Sequence, residues 1–339
     1  MWPYIQIARI DHWFKNVFIL PGVMFALLTQ PELLRWSAVW SILLGTAGVC
    51  LAASSNYVIN EVLDARRDRL HPEKRHRPVP SGRVNVKIAI GLWITLGIIA
   101  LAIGFGVNRP LGYSLSALLM SGLFYNIPPV RMKDLPYLDV IAEAINNPIR
   151  LAIGWYATGS VVWLPVSLLA AYWALGAFLM AVKRLGEYRH LNDPRRAGAY
   201  RPSFRHYNES RLLISTMCYA TACSMFVGVF IARYHIELVL TVPAFAVFMA
   251  AYLRVGLKPD SPAQHPERLL RSRSMVVIVL VMTLIVGFGL WFESPTLQRF
   301  FEPTIPHQYL KPAEPAEKPT ATAPATDDTT ATTQAASHT

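Results

Sequence analysis

The chain has 339 residues, 53% of them hydrophobic and 16% charged, with a formal net charge of +11. Its apolar residues fall in uncharged blocks too long for globular helices, which excludes a single large soluble core. The positive balance is accounted for by membrane topology and attraction to anionic lipid, so it calls for no nucleic-acid partner.

Residues 1–16 carry Trp2, Tyr4 and Trp13 and read as a segment at headgroup depth. A short apolar block over 16–31, containing Pro21, predicts a first span. Asp11, His12 and Lys15 on its flank, with no small-x-small cleavage site, distinguish it from a removable signal. Residues 36–60 hold no charge and predict a second span. At its end stand Asn60, Asp64 and Asp68, spaced i, i+4, i+8 and therefore on one helical face, with Asn56 extending the same stripe. Oxygen ligands beside Lys and Arg suit Mg²⁺ holding a phosphorylated substrate. The bland alternative is a polar helix end paired with Arg66, Arg67 or Arg69, but idle polar groups as deep as Asn56 and Asn60 are expensive.

The loop His71-Pro72-Glu73-Lys74-Arg75-His76-Arg77-Pro78-Val79-Pro80-Ser81-Gly82-Arg83 is broken by prolines and reads as an anion-binding lid. Uncharged blocks at 88–108 and 110–130 predict the next two spans. After them comes a loop that opens at Tyr125-Asn126; its Arg131, Lys133, Asp134 and Asp139, like Lys15 and Asn16, taken singly read as interface residues. A fifth span over 138–158 is interrupted by Glu143 and Arg150; Arg150 reads either as a structural partner of Glu143 or as a cation holding phosphate. The block 151–182 ends at Lys183-Arg184-Leu185-Gly186-Glu187, where Lys183 and Glu187 could form an i, i+4 pair. Blocks at 212–232, 238–253 and 274–292 complete nine candidate spans. Cys50, Cys218 and Cys223 fall in apolar blocks and read as small buried hydrophobes, without disulfide or metal spacing.

With the amino terminus in the cytoplasm, the cytoplasmic segments collect 25 of the 32 Lys and Arg residues. The expectation is an all-α polytopic membrane protein: about nine helices around a central cavity over 1–302. A disordered Pro/Ala/Thr-rich extracytoplasmic tail follows over 303–339.

Asn60–Asp68, followed by His71-Pro72-x-Lys74-Arg75-x-Arg77-Pro78-x-x-Ser81-Gly82, resembles the Asn-Asp-x-x-Asp-x-x-x-Asp motif and loop of UbiA-superfamily intramembrane prenyltransferases, with Glu61 where the family usually has Asp. Typical members carry a second Asp-rich motif where this chain has Lys183-Arg184-x-x-Glu187. That pattern is similar to the branch containing decaprenyl-phosphate phosphoribosyltransferase. So are His12-Trp13-x-Lys15-Asn16, Arg150 before Gly154, and Pro266-Glu267.

The resemblance implies a transferase of a bacterial-type inner or plasma membrane, its active site facing the cytoplasm. It would move a phosphoribosyl group from soluble phosphoribosyl diphosphate to a polyprenyl phosphate. Asn60, Asp64 and Asp68 would hold Mg²⁺, and Lys74, Arg75 and Arg77 would clamp the diphosphate. Lys133, Lys183 and Arg184 would hold the lipid phosphate, and Glu187 would orient ribose hydroxyls. Lys15, Asn16, Asn56, Tyr125, Arg131 and Arg150 complete the substrate-binding set. The rival readings are prenyl transfer from a prenyl diphosphate to an aromatic or other small acceptor, transfer of another activated sugar, and a non-enzymatic transporter or scaffold.

Overall fold

The computed structural model describes residues 2–69, 74–191, 198, 201–258 and 273–302. The expected tail over 303–339 and the pair Pro266-Glu267 lie outside the described residues, as do His71, Pro72 and Glu73 of the loop motif. Among the described residues the regular structure is helical throughout, with no strand. The helices are α1 (Trp2–Ile7), α2 (Leu20–Thr29), α3 (Trp36–Asp68), α4 (Val86–Val107), α5 (Arg109–Asn126), α6 (Leu138–Ala144), α7 (Asn146–Ala157), α8 (Val166–Leu191), α9 (Glu209–Tyr234), α10 (Val242–Gly256), α11 (Arg273–Trp291) and α12 (Pro295–Phe300).

Among the described residues six helical segments are long and apolar enough to cross a membrane: Trp2–Thr29, Trp36–Asp68, Val86–Val107, Val166–Leu191, Glu209–Tyr234 and Ile236–Gly256. Helices also stand at the other three expected positions, as α5, the pair α6 and α7, and α11. Residues 1–16 fold as α1, which stops short of the left-handed Arg9, and the start of a 3₁₀ stretch over Ile10–Ile19 that leads into α2. Cys218 is exposed, unlike buried Cys50 and Cys223.

Local chemistry sets the boundaries. The Asn85, Asn108 and Asn208 side chains accept the backbone N–H groups of Lys87, Leu111 and Arg211, capping α4, α5 and α9. Pro148 has no N–H to give the Ala144 carbonyl, and the fifth span breaks between α6 and α7 at that point. Helix α3, with 33 residues, is about 50 Å long, against roughly 30 Å for the bilayer core, so its last turns stand beyond the apolar layer.

Two apolar clusters hold the bundle. One joins Val49, Ala52, Leu111, Leu115 and Ile153 from α3, α5 and α7. The other joins Phe178, Val182, Cys223, Phe248 and Tyr252 from α8, α9 and α10. Glycines let α2 and α7 meet backbone to backbone: a Cβ on Gly154 would lie 2.0 Å from the Ile19 carbonyl oxygen, and one on Gly22 2.0 Å from that of Leu151. Gly154→Ala therefore forces the helices apart. We expect a loss of about 1–3 kcal/mol, read as a lower melting temperature in detergent; an unchanged melting temperature would contradict this contact.

Candidate active site

The last turns of α3 meet the loop after α5. Arg131 adopts φ 27°, a left-handed backbone rare for a non-glycine residue, and a single 3₁₀ turn, Met132–Asp134, follows. The turn directs two cations back at α3. Lys133 Nζ lies 2.7 Å from Asn60 Oδ1, 2.7 Å from each Asp64 oxygen and 2.9 Å from Asn126 Oδ1. Arg131 donates to Asp64 Oδ1 through Nη2 and to Asp134 Oδ2 through Nε, the latter at 2.9 Å. Arg67 also binds Asp134, at 2.7 Å. Burial pushes the Lys133 ammonium down to about 8, against the pull of Asp64.

These oxygens fit a divalent cation. Amide and carboxylate oxygens are hard donors of the kind Mg²⁺ takes, and the Lys133 ammonium stands in for a positive ion among them. One turn deeper, Asn56 gives its Nδ2 to the Leu118 carbonyl at 2.9 Å while its Oδ1 is buried with no hydrogen-bond partner. Among the described residues no three His, Cys, Asp or Glu side chains cluster as ligands. An ion here would therefore lean on amide oxygens, water and substrate phosphate, as Mg²⁺ commonly does.

The stripe divides at Asp68. That carboxylate is buried and pairs with Arg77 Nη1 at 2.7 Å, rather than sharing Lys133 with Asn60 and Asp64. Glu61 turns off the stripe and accepts the Val79 N–H at 3.0 Å, fastening the loop to α3. Lys74, on a 3₁₀ turn over Lys74–His76, lies within electrostatic reach of Asp68, Arg77, Arg201 and Asp64, and burial lowers its pKa. Arg75 is exposed and bonds His76.

A second polar centre forms where α6 meets α8. Arg184 is 2% exposed and reaches three carboxylates: Asp139 at 3.2 Å, Glu143 at 2.7 Å and Glu187 at 3.0 Å. Asp139, fully buried, also accepts the hydroxyls of Ser203 and Tyr207 at 3.2 and 2.7 Å and lies 3.4 Å from Arg201 Nε. Tyr125 OH joins Glu143 at 3.1 Å to Arg201 at 2.9 Å.

Three expectations change here. Arg184 is engaged with carboxylates rather than open to a lipid phosphate. Glu187 pairs with Arg184, not Lys183. Asp139 is a hub inside the bundle, not merely the first charge of a span. Lys183 makes no hydrogen bond or ion pair with the described residues, although Glu143 and Glu187 lie within its electrostatic reach.

Arg150 does not pair with Glu143. Its Nε donates to Asn16 Oδ1 at 3.2 Å and its Nη1 to the Asn146 carbonyl at 3.4 Å. Glu143 is instead taken by Arg184 and Tyr125. Asn16 is buried and also donates to Cys50 Sγ at 3.2 Å, while Lys15 Nζ lies 6.0 Å from the centre of the Phe14 ring. Asn126 and Arg201 were not among the expected site residues. Asn126 had a signal, an amide at the end of an apolar run like Asn60. Arg201 had none, because its loop carries no periodic pattern.

The UbiA prenyltransferase family matches residues 17–272. Decaprenyl-phosphate phosphoribosyltransferase from Mycolicibacterium smegmatis is 27% identical over 302 residues, covering 85% of this chain and 92% of that protein. Nodulation protein NoeC from Azorhizobium caulinodans is 29% identical over 278 residues, covering 81% of this chain and 78% of its own. The solved structure of a UbiA homologue from Archaeoglobus fulgidus bound to DMAPP and Mg²⁺ superposes with a TM-score of 0.64 at 20% identity, covering 85% and 98% of the two chains. The family match runs from the first apolar segment past α10 and includes Asp64, Lys133 and Arg184. This all-helical membrane protein belongs to the UbiA prenyltransferase family and is a transferase.

Proposed function

We propose that the protein transfers a phosphoribosyl group from phosphoribosyl diphosphate to a polyprenyl phosphate, with one divalent cation at Asp64. The observation that carries this reading is Arg184. Three carboxylates, Asp139, Glu143 and Glu187, meet at the α8 motif, and the buried Arg184 guanidinium pairs with each of them, so they hold a cation of the chain itself. A site with a single acidic pocket suits one diphosphate and one phosphate monoester. The curated relatives named decaprenyl-phosphate phosphoribosyltransferase support the same pairing.

Asn60, Asp64 and Asn126 would supply the oxygens for Mg²⁺, whose charge would favour departure of the diphosphate. Arg131 and Lys133, now on Asp64, are placed to turn to the phosphate oxygens when those arrive. Lys74 and Arg77 close over the same end from the loop that Glu61 anchors. Asp68 holds Arg77 in place. Glu187 and Glu143, oriented by Arg184, accept hydroxyls of the sugar. The C1–O bond to diphosphate breaks as a C1–O bond to the lipid phosphate forms. The attacking oxygen is already anionic, so no proton moves and positioning supplies most of the rate. The concentration of Lys and Arg at this end supports a site that faces the cytoplasm from a bacterial-type inner membrane.

Lys183 is the cation of the α8 motif left to meet a substrate phosphate. Lys183→Ala should raise the KM for lipid phosphate about tenfold and leave the donor KM within about twofold. An effect confined to the donor would reverse that assignment. The reaction itself is tested with purified protein in detergent, Mg²⁺ and labelled donors offered separately. Label from phosphoribosyl diphosphate should enter an organic-extractable product. Label moving instead from geranylgeranyl diphosphate to an aromatic acceptor would establish the rival reading.

A further inference from the structure

Arg9 and Arg150 are two guanidinium groups beside the site that meet no carboxylate among the described residues. Arg150 has only neutral partners, Asn16 Oδ1 and the Asn146 carbonyl. Arg9 lies over the Tyr57 ring, 5.6 Å from its centroid. Tyr57 is within electrostatic reach of both arginines. Glu61 and Asp11 lie within electrostatic reach of Arg9, and Glu143 within that of Arg150, but none forms an ion pair with them: Glu61 holds the Val79 N–H, Glu143 holds Arg184 and Tyr125, and exposed Asp11 lies 3.7 Å from His12.

A cation inside the bundle without a paired carboxylate is costly, and such groups usually serve a ligand. Arg9 carries a second cost. Its backbone sits at φ 50°, in the left-handed region, at a residue that is not glycine. The surroundings hold it there: Ser54 Oγ, which receives the Trp13 indole N–H at 2.9 Å, donates to the adjacent Ala8 carbonyl at 2.8 Å. The segment that presents Arg9 is thus tied to α3 on both sides of the arginine.

We propose that Arg9, which lies over the Tyr57 ring, and Arg150, within electrostatic reach of the same tyrosine, form with it the subsite for the phosphate monoester head of the acceptor lipid. This rests on the transferase reading above and adds two cations to Lys183 at the acceptor phosphate, in place of Arg184, whose donors are occupied. Depth fits the assignment. Tyr57 precedes Asp64 by seven residues on α3, about 10 Å along the axis toward the membrane interior. A donor diphosphate at Asp64 and an acceptor phosphate at Tyr57 leave room for one sugar ring between them. The deeper position is the one a lipid-borne head reaches from the bilayer, while the soluble donor enters from the basic end. Two guanidinium forks and a phenol hydroxyl match the oxygens of a monoester dianion.

The full chain in detergent with EDTA is titrated with farnesyl phosphate, farnesol and inorganic phosphate, and separately, without EDTA, with Mn²⁺ plus pyrophosphate. Farnesyl phosphate should bind, and Arg9→Gln and Arg150→Gln should each weaken it about tenfold or more, with Mn²⁺–pyrophosphate affinity kept within about twofold. Wild-type affinity for farnesyl phosphate in both variants, or equal loss of both ligands, would overturn the subsite. Inorganic phosphate or farnesol binding as tightly as farnesyl phosphate would overturn the lipid-phosphate assignment. Arg9→Gln alone decides the matter should Arg150→Gln fail to fold. Absence of phosphoribosyl transfer, with the selective binding losses intact, would remove the reaction and leave the subsite standing.

Discussion

Asp64→Asn should abolish metal-dependent turnover, by about a thousandfold or more, while the protein still folds. Asp64 is the one carboxylate that Lys133 and Arg131 share, and it lies within the amide cradle of Asn60 and Asn126. Asparagine keeps an oxygen for Lys133 but removes the negative charge a divalent ion needs. Arg131 retains Asp134 at 2.9 Å, and Lys133 retains two amide oxygens, so the folding loss should stay near 1–3 kcal/mol. Turnover measured against Mg²⁺ concentration, beside a melting curve, separates the two effects. Glu61→Gln is the control: Glu61 accepts a backbone N–H away from the stripe, and its variant should keep most of the activity. Near-normal turnover in Asp64→Asn would contradict the metal assignment.

Arg184→Met should be strongly destabilising. Removing the guanidinium leaves Asp139, fully buried, together with Glu143 and Glu187, facing one another with one fewer counter-charge. Breaking a buried ion cluster by deleting one partner typically costs about 3–5 kcal/mol. Arg201 remains 3.4 Å from Asp139 and tempers the loss at that carboxylate alone. Arg184→Lys should fall between, because one ammonium cannot serve three carboxylates with the geometry of a planar fork. Adding Glu143→Gln to Arg184→Met should recover part of the stability. A wild-type melting temperature for Arg184→Met would show that the three carboxylates do not depend on it.

The membrane architecture was legible because spans announce themselves as long uncharged blocks, and α3, α4 and α9 stand where those blocks lie. Asn60 and Asp64 were legible for a related reason: helical spacing stacks them, and the structure joins them through one ammonium. What spacing could not show is which distant side chain meets them. Lys133 and Asn126 reach Asp64 and Asn60 through a left-handed residue and a single 3₁₀ turn, neither of which leaves a periodic mark. Spacing left Arg150 open between a pair with Glu143 and a phosphate; the structure gives it Asn16 and the Asn146 carbonyl, neither of which spacing points to. It was silent on Arg184, whose three partners come from two helices and whose burial no local pattern records. Charge counting treated every Lys and Arg as available to substrate; the structure shows several already bound to carboxylates of the chain itself.

The most direct test counts the cation. Mn²⁺ bound to the purified chain with pyrophosphate can be followed by electron paramagnetic resonance. The account predicts a single ion per chain, lost in Asp64→Asn and kept in Glu187→Gln. A spin-coupled pair of ions that Glu187→Gln abolishes, or a single ion that survives Asp64→Asn, would contradict it.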